Sequence, residues 1–380
     1  MANLLIGLKA ERPRRARTRC ETAMLALLAC LASASAGPRP ARAESPAAQP
    51  NPAASERRDR PPRKVLVGTV VSGYGIFNLP LERRLQRMDE LVDAVAARAR
   101  SEFPAKPLDL VVLPETFIAR PGDALAQRTV RLEEVEQRIA ACASRHHCYL
   151  VVPLLLREAD PPVRFSNAAL LVDREGRVAG IYRKVHPVAA QGSEELEDGI
   201  TPGSSFPVFD CDFGRVGIQI CFDMLYADGW QALARQGAEI VALPSASAET
   251  VRPAMYAMRH QYYIVSATPR DHAAVFSPLG LIEDQASQEG AVLVHQIDLS
   301  FALLHWEAVL EDGEALRRKF GDRVGFHYYR PEDMGIFWSN DPRTSIGQMI
   351  GSLGLTEVGA NVERIRVLQD RARGGPPAAP

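Results

Sequence analysis

The chain has 380 residues, 46% of them hydrophobic and 24% charged, with 45 Lys and Arg against 46 Asp and Glu for a formal net charge of −1. That length and apolar content can bury a full core. Beyond the first 43 residues no basic stripe remains to hold a nucleic acid.

The N-terminus differs in kind from the rest. Lys9, Arg12, Arg14, Arg15, Arg17 and Arg19 precede an apolar run from Ala23 to Ala36, followed by the small-x-small sites Ala34-Ser35-Ala36 and Ala41-Arg42-Ala43. This is the layout of a secretory signal, and a run of 14 residues is short for a stable membrane span. Residues 1–43 are therefore read as a signal peptide and the protein as exported, periplasmic or extracellular. Arg14-Arg15 as a twin-arginine signal, or Leu27-Leu28-Ala29-Cys30 as a lipoprotein box, fits only loosely. Cleavage after Ala43 removes eight Lys/Arg and two Asp/Glu and leaves a net charge of −7. Residues 44–63, rich in Pro, Ala and Arg, are expected to form a disordered linker, and 371–380 a disordered tail.

Between these ends, apolar runs of strand length alternate with amphipathic segments, which predicts an α/β architecture. Lys64 to Ser72 reads as a strand and Leu81 to Arg100 as a helix whose apolar stripe is Leu85, Met88, Leu91, Val92 and Val95. Leu108 to Pro114 is a strand, Arg131 to Arg145 a helix and Tyr149 to Arg157 a strand. Asp173-Arg174-Glu175-Gly176 and Asp212-Phe213-Gly214-Arg215 then mark two hairpins, so the sheets should be mixed. Gly229 to Gln236 and Pro253 to Arg259 read as helices, with strands at Glu239 to Leu243, Tyr262 to Ala267, Ala273 to Phe276 and Ala291 to Asp298. Residues 301–370 form a C-terminal extension in which only a helix at Gly313 to Lys319 is predicted. Its aromatics Trp306, Phe326, Tyr328, Tyr329, Phe337 and Trp338 are expected as core packing, with a dimer interface or pocket cover as the alternative.

Cys142, Cys148, Cys211 and Cys221 remain after signal removal. Cys142 and Cys148 are spaced so that an oxidising compartment could close a disulfide between them.

Three apolar strands end in an ionisable side chain: Glu115 after Leu110-Val111-Val112-Leu113-Pro114, Lys184 in Tyr182-Arg183-Lys184-Val185-His186, and Cys221 in Gly217-Ile218-Gln219-Ile220-Cys221-Phe222-Asp223. Thiol attack on an amide or nitrile carbon needs a base, a stabiliser for the developing anion and a proton for the leaving amine. Glu115 is the candidate base, with its pKa expected to be raised toward neutrality by burial. Lys184 and the backbone N–H of Phe222 would stabilise the tetrahedral intermediate, and Cys221 would carry a thioester. His186 offers a rival Cys-His pairing.

Leu-Pro-Glu-Thr, Tyr-Arg-Lys-Val-His and Gly-Ile-Gln-Ile-Cys-Phe-Asp, in this order, resemble the nitrilase (carbon-nitrogen hydrolase) superfamily over about residues 64 to 300. The resemblance extends to Pro202-Gly203, Gly237-Ala238-Glu239, Pro244-Ser245 and Arg259. It implies a four-layer αββα sandwich with mixed sheets, a Glu115, Lys184 and Cys221 triad, no metal or organic cofactor, and a homodimer or higher homo-oligomer. It also implies a second glutamate supporting the lysine, for which Glu195 is favoured over Glu197. One departure is Asp228, where the family often has a longer Glu. The expected function is an exported hydrolase of a small nonpeptide amide, carbamoyl compound or nitrile. The alternatives are an acyltransferase that hands the same thioester to an amine and a non-catalytic binding module on the same fold.

Overall fold

Successive strand residues point to opposite faces of a sheet, and here both faces of the central strands are covered, so those strands read as nearly continuous apolar runs. The computed structural model describes residues 56–158 and 162–374, and the expected signal peptide lies outside the described residues. In chain order, the first half consists of β1 (Lys64–Val70), α1 (Leu81–Glu102), β2 (Leu110–Val112), α2 (Leu125–Arg128), α3 (Leu132–His146), β3 (Tyr149–Arg157), β4 (Phe165–Val172) and β5 (Val178–Arg183). The second half continues with β6 (Val208–Cys211), β7 (Gly214–Ile218), α4 (Ala227–Arg235), β8 (Ile240–Pro244), α5 (Val251–His260), β9 (Tyr263–Ala267), β10 (Ala273–Phe276), β11 (Ile282–Ala286) and β12 (Val292–Asp298).

Two six-stranded sheets result, ordered β12-β1-β2-β3-β4-β5 and β11-β10-β9-β8-β7-β6. Both are mixed. β1, β2 and β3 run parallel, as do β7, β8 and β9, with antiparallel strands outside them. The predicted hairpins are the β4–β5 and β6–β7 pairs.

The alternation of each strand assigns its residues to a layer. Val65, Val67, Leu110, Val112 and Val151 face Val216, Ile218, Ile240, Ala242 and Val265 across the gap between the sheets. Their neighbours Leu66, Val111, Leu150 and Val152 face the other way, onto α1 and α3, where the predicted stripe from Leu85 to Val95 is buried. On the far side, Val241, Leu243 and Ile264 pack under α4 and α5, where Trp230 stacks on Tyr256 at 4.5 Å. The architecture is the expected four-layer αββα sandwich.

The C-terminal extension is more ordered than its sequence indicates. It contains β13 (Phe301–His305), α6 (Glu314–Phe320), β14 (Val324–Tyr329), β15 (Met334–Ser339), α7 (Ile346–Gly351) and α8 (Val358–Ala372), with a three-stranded sheet in the order β13-β15-β14. Phe326, Tyr328 and Phe337 close a small core of its own with Leu316, Ile346 and Met349. Tyr329 and Trp338 pack instead against the core between the large sheets. Trp306 departs from the expected core role and is exposed.

Two boundaries also move. Arg57, inside the expected linker, is buried, bonds to Gln261 and Glu357, and lies 3.8 Å from the Phe301 ring centre, so the described residues before β1 are clasped to the body. At the other end α8 runs on to Ala372, past the expected start of the tail. Cys142 and Cys148 are free thiols in the helix-side core, not a disulfide, and burial pushes each up to about 12. No helix among the described residues is long and apolar enough to cross a membrane.

Candidate functional site

Glu115, Lys184 and Cys221 follow β2, β5 and β7, and the sandwich brings these strand ends together. Two strands come from one sheet and the third from the other. Lys184, 1% exposed, places its ammonium Nζ 2.8 Å from Glu115 Oε1 and 2.5 Å from Glu197 Oε1. Glu115 also accepts from Asn167 Nδ2 at 2.8 Å and from the Ala246 N–H at 3.0 Å, and it lies within hydrogen-bonding reach of the Cys221 thiol.

The backbone around Lys184 is held from both sides. Its N–H donates to Asn167 O at 2.8 Å, and its carbonyl accepts from the Gly203 N–H at 2.8 Å. A Cβ at Gly203 would collide with the Arg183 carbonyl, which accounts for glycine in Pro202-Gly203.

Cys221 opens a single 3-10 turn, Cys221–Leu225, with φ at 44°. A left-handed cysteine costs of order 1–3 kcal/mol of backbone strain. The fully buried Asp223 secures this turn by accepting from Ile220 N at 2.8 Å, Tyr182 OH at 2.7 Å and His186 N at 3.0 Å. The turn thus leans through Asp223 on the strand that carries Lys184.

Charge and burial set the resting protonation. Desolvation pushes Glu115 up, but Lys184 and the hydrogen bonds from Lys184, Asn167 and Cys221 outweigh it, so its carboxyl lies below the ordinary glutamate value. This reverses the expectation of a base raised toward neutrality: burial alone would raise it, and the donors around it win. Burial, followed by the Glu115 charge, pushes the Cys221 thiol up to about 12, opposed by Lys184 and by the Ser245 hydroxyl and Ala246 N–H. The resting pair is a neutral thiol beside a carboxylate.

The remaining expected residues separate clearly. Glu197, not Glu195, supports Lys184, and it also accepts from the Val188 N–H at 3.0 Å. Its backbone is left-handed at φ 42°, as is that of Asp198 at 61°, so the acidic loop turns back at this point. Glu195 lies on the exposed limb of that loop, bonded through its backbone to Ser193. Phe222 is the second residue of the turn that Cys221 opens.

Asp228 sits at the start of α4, its carboxylate 3.4 Å from His186 Nε2. His186 Nδ1 is 3.0 Å from Asp223, and the ring stacks on Tyr226 at 3.9 Å. Both imidazole nitrogens therefore face carboxylates, chiefly Asp223, which raises the pKa. This geometry does not support the Cys-His reading. Asn167 and Asp223 were not picked out by sequence reasoning. For Asp223 the available signal was its place two residues after Cys221; for Asn167 it was only the polar pair Ser166-Asn167 at the start of a strand that is otherwise apolar.

The chain matches the family model described as "Carbon-nitrogen hydrolase" over residues 71–302. It is 27% identical over 229 residues to Omega-amidase NIT2-B of Xenopus laevis, covering 54% of this chain and 82% of that protein. It is 28% identical over 286 residues to Bifunctional nitrilase/nitrile hydratase NIT4A of Nicotiana tabacum, covering 63% of this chain and 79% of that one. The fold is similar to the crystal structure of Saccharomyces cerevisiae Nit3, a member of branch 10 of the nitrilase superfamily. The TM-score is 0.51 and the identity 22%, with 62% of this chain and 90% of that chain covered. With more than half its length matched, and the site assembled on the sandwich described above, the chain belongs to the carbon-nitrogen hydrolase family, whose members cleave carbon-nitrogen bonds other than peptide bonds.

Proposed function

We propose that this protein is an exported enzyme that hydrolyses a small nonpeptide amide through a Cys221 thioester, with Glu115 as base and Lys184 as electrostatic anchor. What supports the reading most is that one buried ammonium, one carboxylate and one thiol converge from three strand ends. The omega-amidase and nitrilase/nitrile hydratase relatives point to amide or nitrile substrates.

The chemistry follows from the donors. Cys221 Sγ attacks the carbonyl carbon as its proton passes to Glu115. The ammonium of Lys184 has three N–H donors; two are directed at Glu115 and Glu197, and the third, with the Phe222 N–H, meets the developing oxyanion. Glu115 returns the proton to the departing amine as the carbon-nitrogen bond breaks. It then deprotonates a water that attacks the thioester, releasing the acid and restoring the thiol.

Cys221→Ala is expected to fold and to release ammonia from amides only at the background rate. The wild type with a slow amide should gain the acyl mass on Cys221 in intact-protein mass spectrometry. Normal turnover by Cys221→Ala would sink the mechanism, and predominant capture of the acyl group by an added amine would favour a transferase.

Export and homodimerisation belong to the same proposal. Export rests on the basic-then-apolar N-terminus. The dimer rests on the exposed stripe Val251, Met255 and Met258 along α5, since a water-facing apolar helical stripe favours a partner. Native mass spectrometry of protein from the envelope or medium should give a start near Ala36 or Ala43 and a doubled mass. A retained Met1 would count against export, and a monomer mass at micromolar concentration against the dimer.

A further inference from the structure

We propose that Asn167 is a positioning residue of the active site that fixes which oxygen of Glu115 receives the Cys221 proton. The inference rests on the hydrolase reading for its chemistry but on its own geometry for the assignment.

Asn167 lies in β4, 2% exposed. Its single amide nitrogen is 2.8 Å from Glu115 Oε1 and 2.9 Å from Glu197 Oε2. Lys184 Nζ closes the other side of the ring, 2.8 Å from Glu115 Oε1 and 2.5 Å from Glu197 Oε1. The amide is oriented by its neighbours: an NH2 group has two donors and no acceptor, whereas the carbonyl oxygen turned the same way would face two carboxylates. Asn167 Oδ1 has no hydrogen-bond partner among the described residues, consistent with an amide oriented by its nitrogen.

The ring has a consequence for the base. A carboxylate oxygen offers two in-plane lone pairs, and on Oε1 both are taken, by Lys184 and Asn167. Oε2 accepts from the Ala246 N–H at 3.0 Å, which leaves its second lone pair for the Cys221 thiol within reach. The proton from sulfur is therefore accepted on Oε2, and Oε1 remains the anchored oxygen throughout the cycle. Asn167 achieves this without adding charge. One ammonium faces two carboxylates here, and a second lysine would neutralise the base, whereas an amide donates to both and leaves the pair anionic. Its hydrogen bond is also among the interactions, after Lys184, that hold the Glu115 carboxyl low.

Asn167→Leu keeps the side-chain shape and removes both donors, and Asn167→Ser retains one. Two profiles test the inference: kcat/KM for ammonia release from an amide against pH, and the rate of Cys221 alkylation by iodoacetamide against pH. In the leucine variant the acid limb of both should move to higher pH, with kcat/KM at neutral pH reduced roughly 10- to 100-fold, KM little changed and Tm within a few degrees of wild type. The serine variant should lie between, and it carries the test if the leucine variant does not fold. A folded variant whose acid limbs coincide with those of wild type, whatever its rate, overturns the inference. If wild-type Cys221 alkylates with an acid limb but no amide releases ammonia, the hydrolase reading fails. The shifted alkylation limb would still decide the role of Asn167.

Discussion

Replacing Lys184 with methionine is expected to abolish turnover and to destabilise the protein by about 3–5 kcal/mol, the usual cost of removing one partner from a buried charge pair. Lys184 is nearly fully buried and is the cation between Glu115 and Glu197. Without it the buried Glu115 carboxylate faces the partly buried Glu197 with no cation between them, and Glu115 loses its anchor and the charge that holds it ionised. The two partners agree in direction: Glu115 is held below its ordinary value of 4.5 and Lys184 is lifted above its ordinary 10.5. The pair therefore contributes its full stability between those ordinary values. The contribution is lost in acid as pH falls through the depressed Glu115 value, and in base as pH rises through the raised Lys184 value. The stability gap between wild type and Lys184→Met, measured by denaturant unfolding, should persist at pH 7 and close below pH 4.5. Adding Glu197→Gln to Lys184→Met should recover part of the stability and none of the turnover. A Lys184→Met protein of wild-type stability, or one with substantial activity, would contradict the site.

A second large effect is expected away from the chemistry. Arg174→Met should cost roughly 3 kcal/mol, near the low end for a broken buried pair, and leave kcat unchanged. Arg174 is 8% exposed; its guanidinium reaches Asp109 Oδ1 at 2.6 Å and Asp212 Oδ2 at 2.7 Å, and it donates to the carbonyls of Leu108 and His147 at 3.1 and 2.8 Å. It ties the β4–β5 turn to the start of β2, the end of α3 and the β6–β7 turn. Burial already outweighs the ion pair at Asp109, whose carboxyl lies above the usual aspartate value. Proton uptake there relieves part of the loss, which keeps the cost toward the lower bound. Loss of activity in a folded Arg174→Met would show that this tie couples to the turn at Cys221, contrary to the expectation.

Much of the scaffold was legible because it rests on local patterns. Apolar runs of strand length and the helical stripe from Leu85 to Val95 identify most strands and helices of the sandwich to within a few residues. Gly176 and Gly214 mark the hairpin turns, both at the positions expected from the sequence. The sheet of the C-terminal extension was not legible. Its β14 is only partly buried and its core closes by packing on two short helices, so no strand there carries a clean alternation. Strand β11 was missed for a related reason: it is an edge strand, Ile-Glu-Asp-Gln-Ala, with a single buried residue.

At the site, the sequence by itself determined which three strands end in a carboxylate, an ammonium and a thiol, because each strand's own apolar run points to its end. Only the tertiary structure decided the rest: that Glu197 rather than Glu195 reaches Lys184, that Asn167 donates to Glu115 and Asp223 accepts from Ile220 at the turn that Cys221 opens, and that Glu115 is lowered rather than raised. These outcomes depend on loop dihedrals and on register between strands distant in sequence. Hydrogen bonds and ion pairs weaken over a few ångströms, so a pKa follows from which donors arrive, and no local pattern in the chain specifies that.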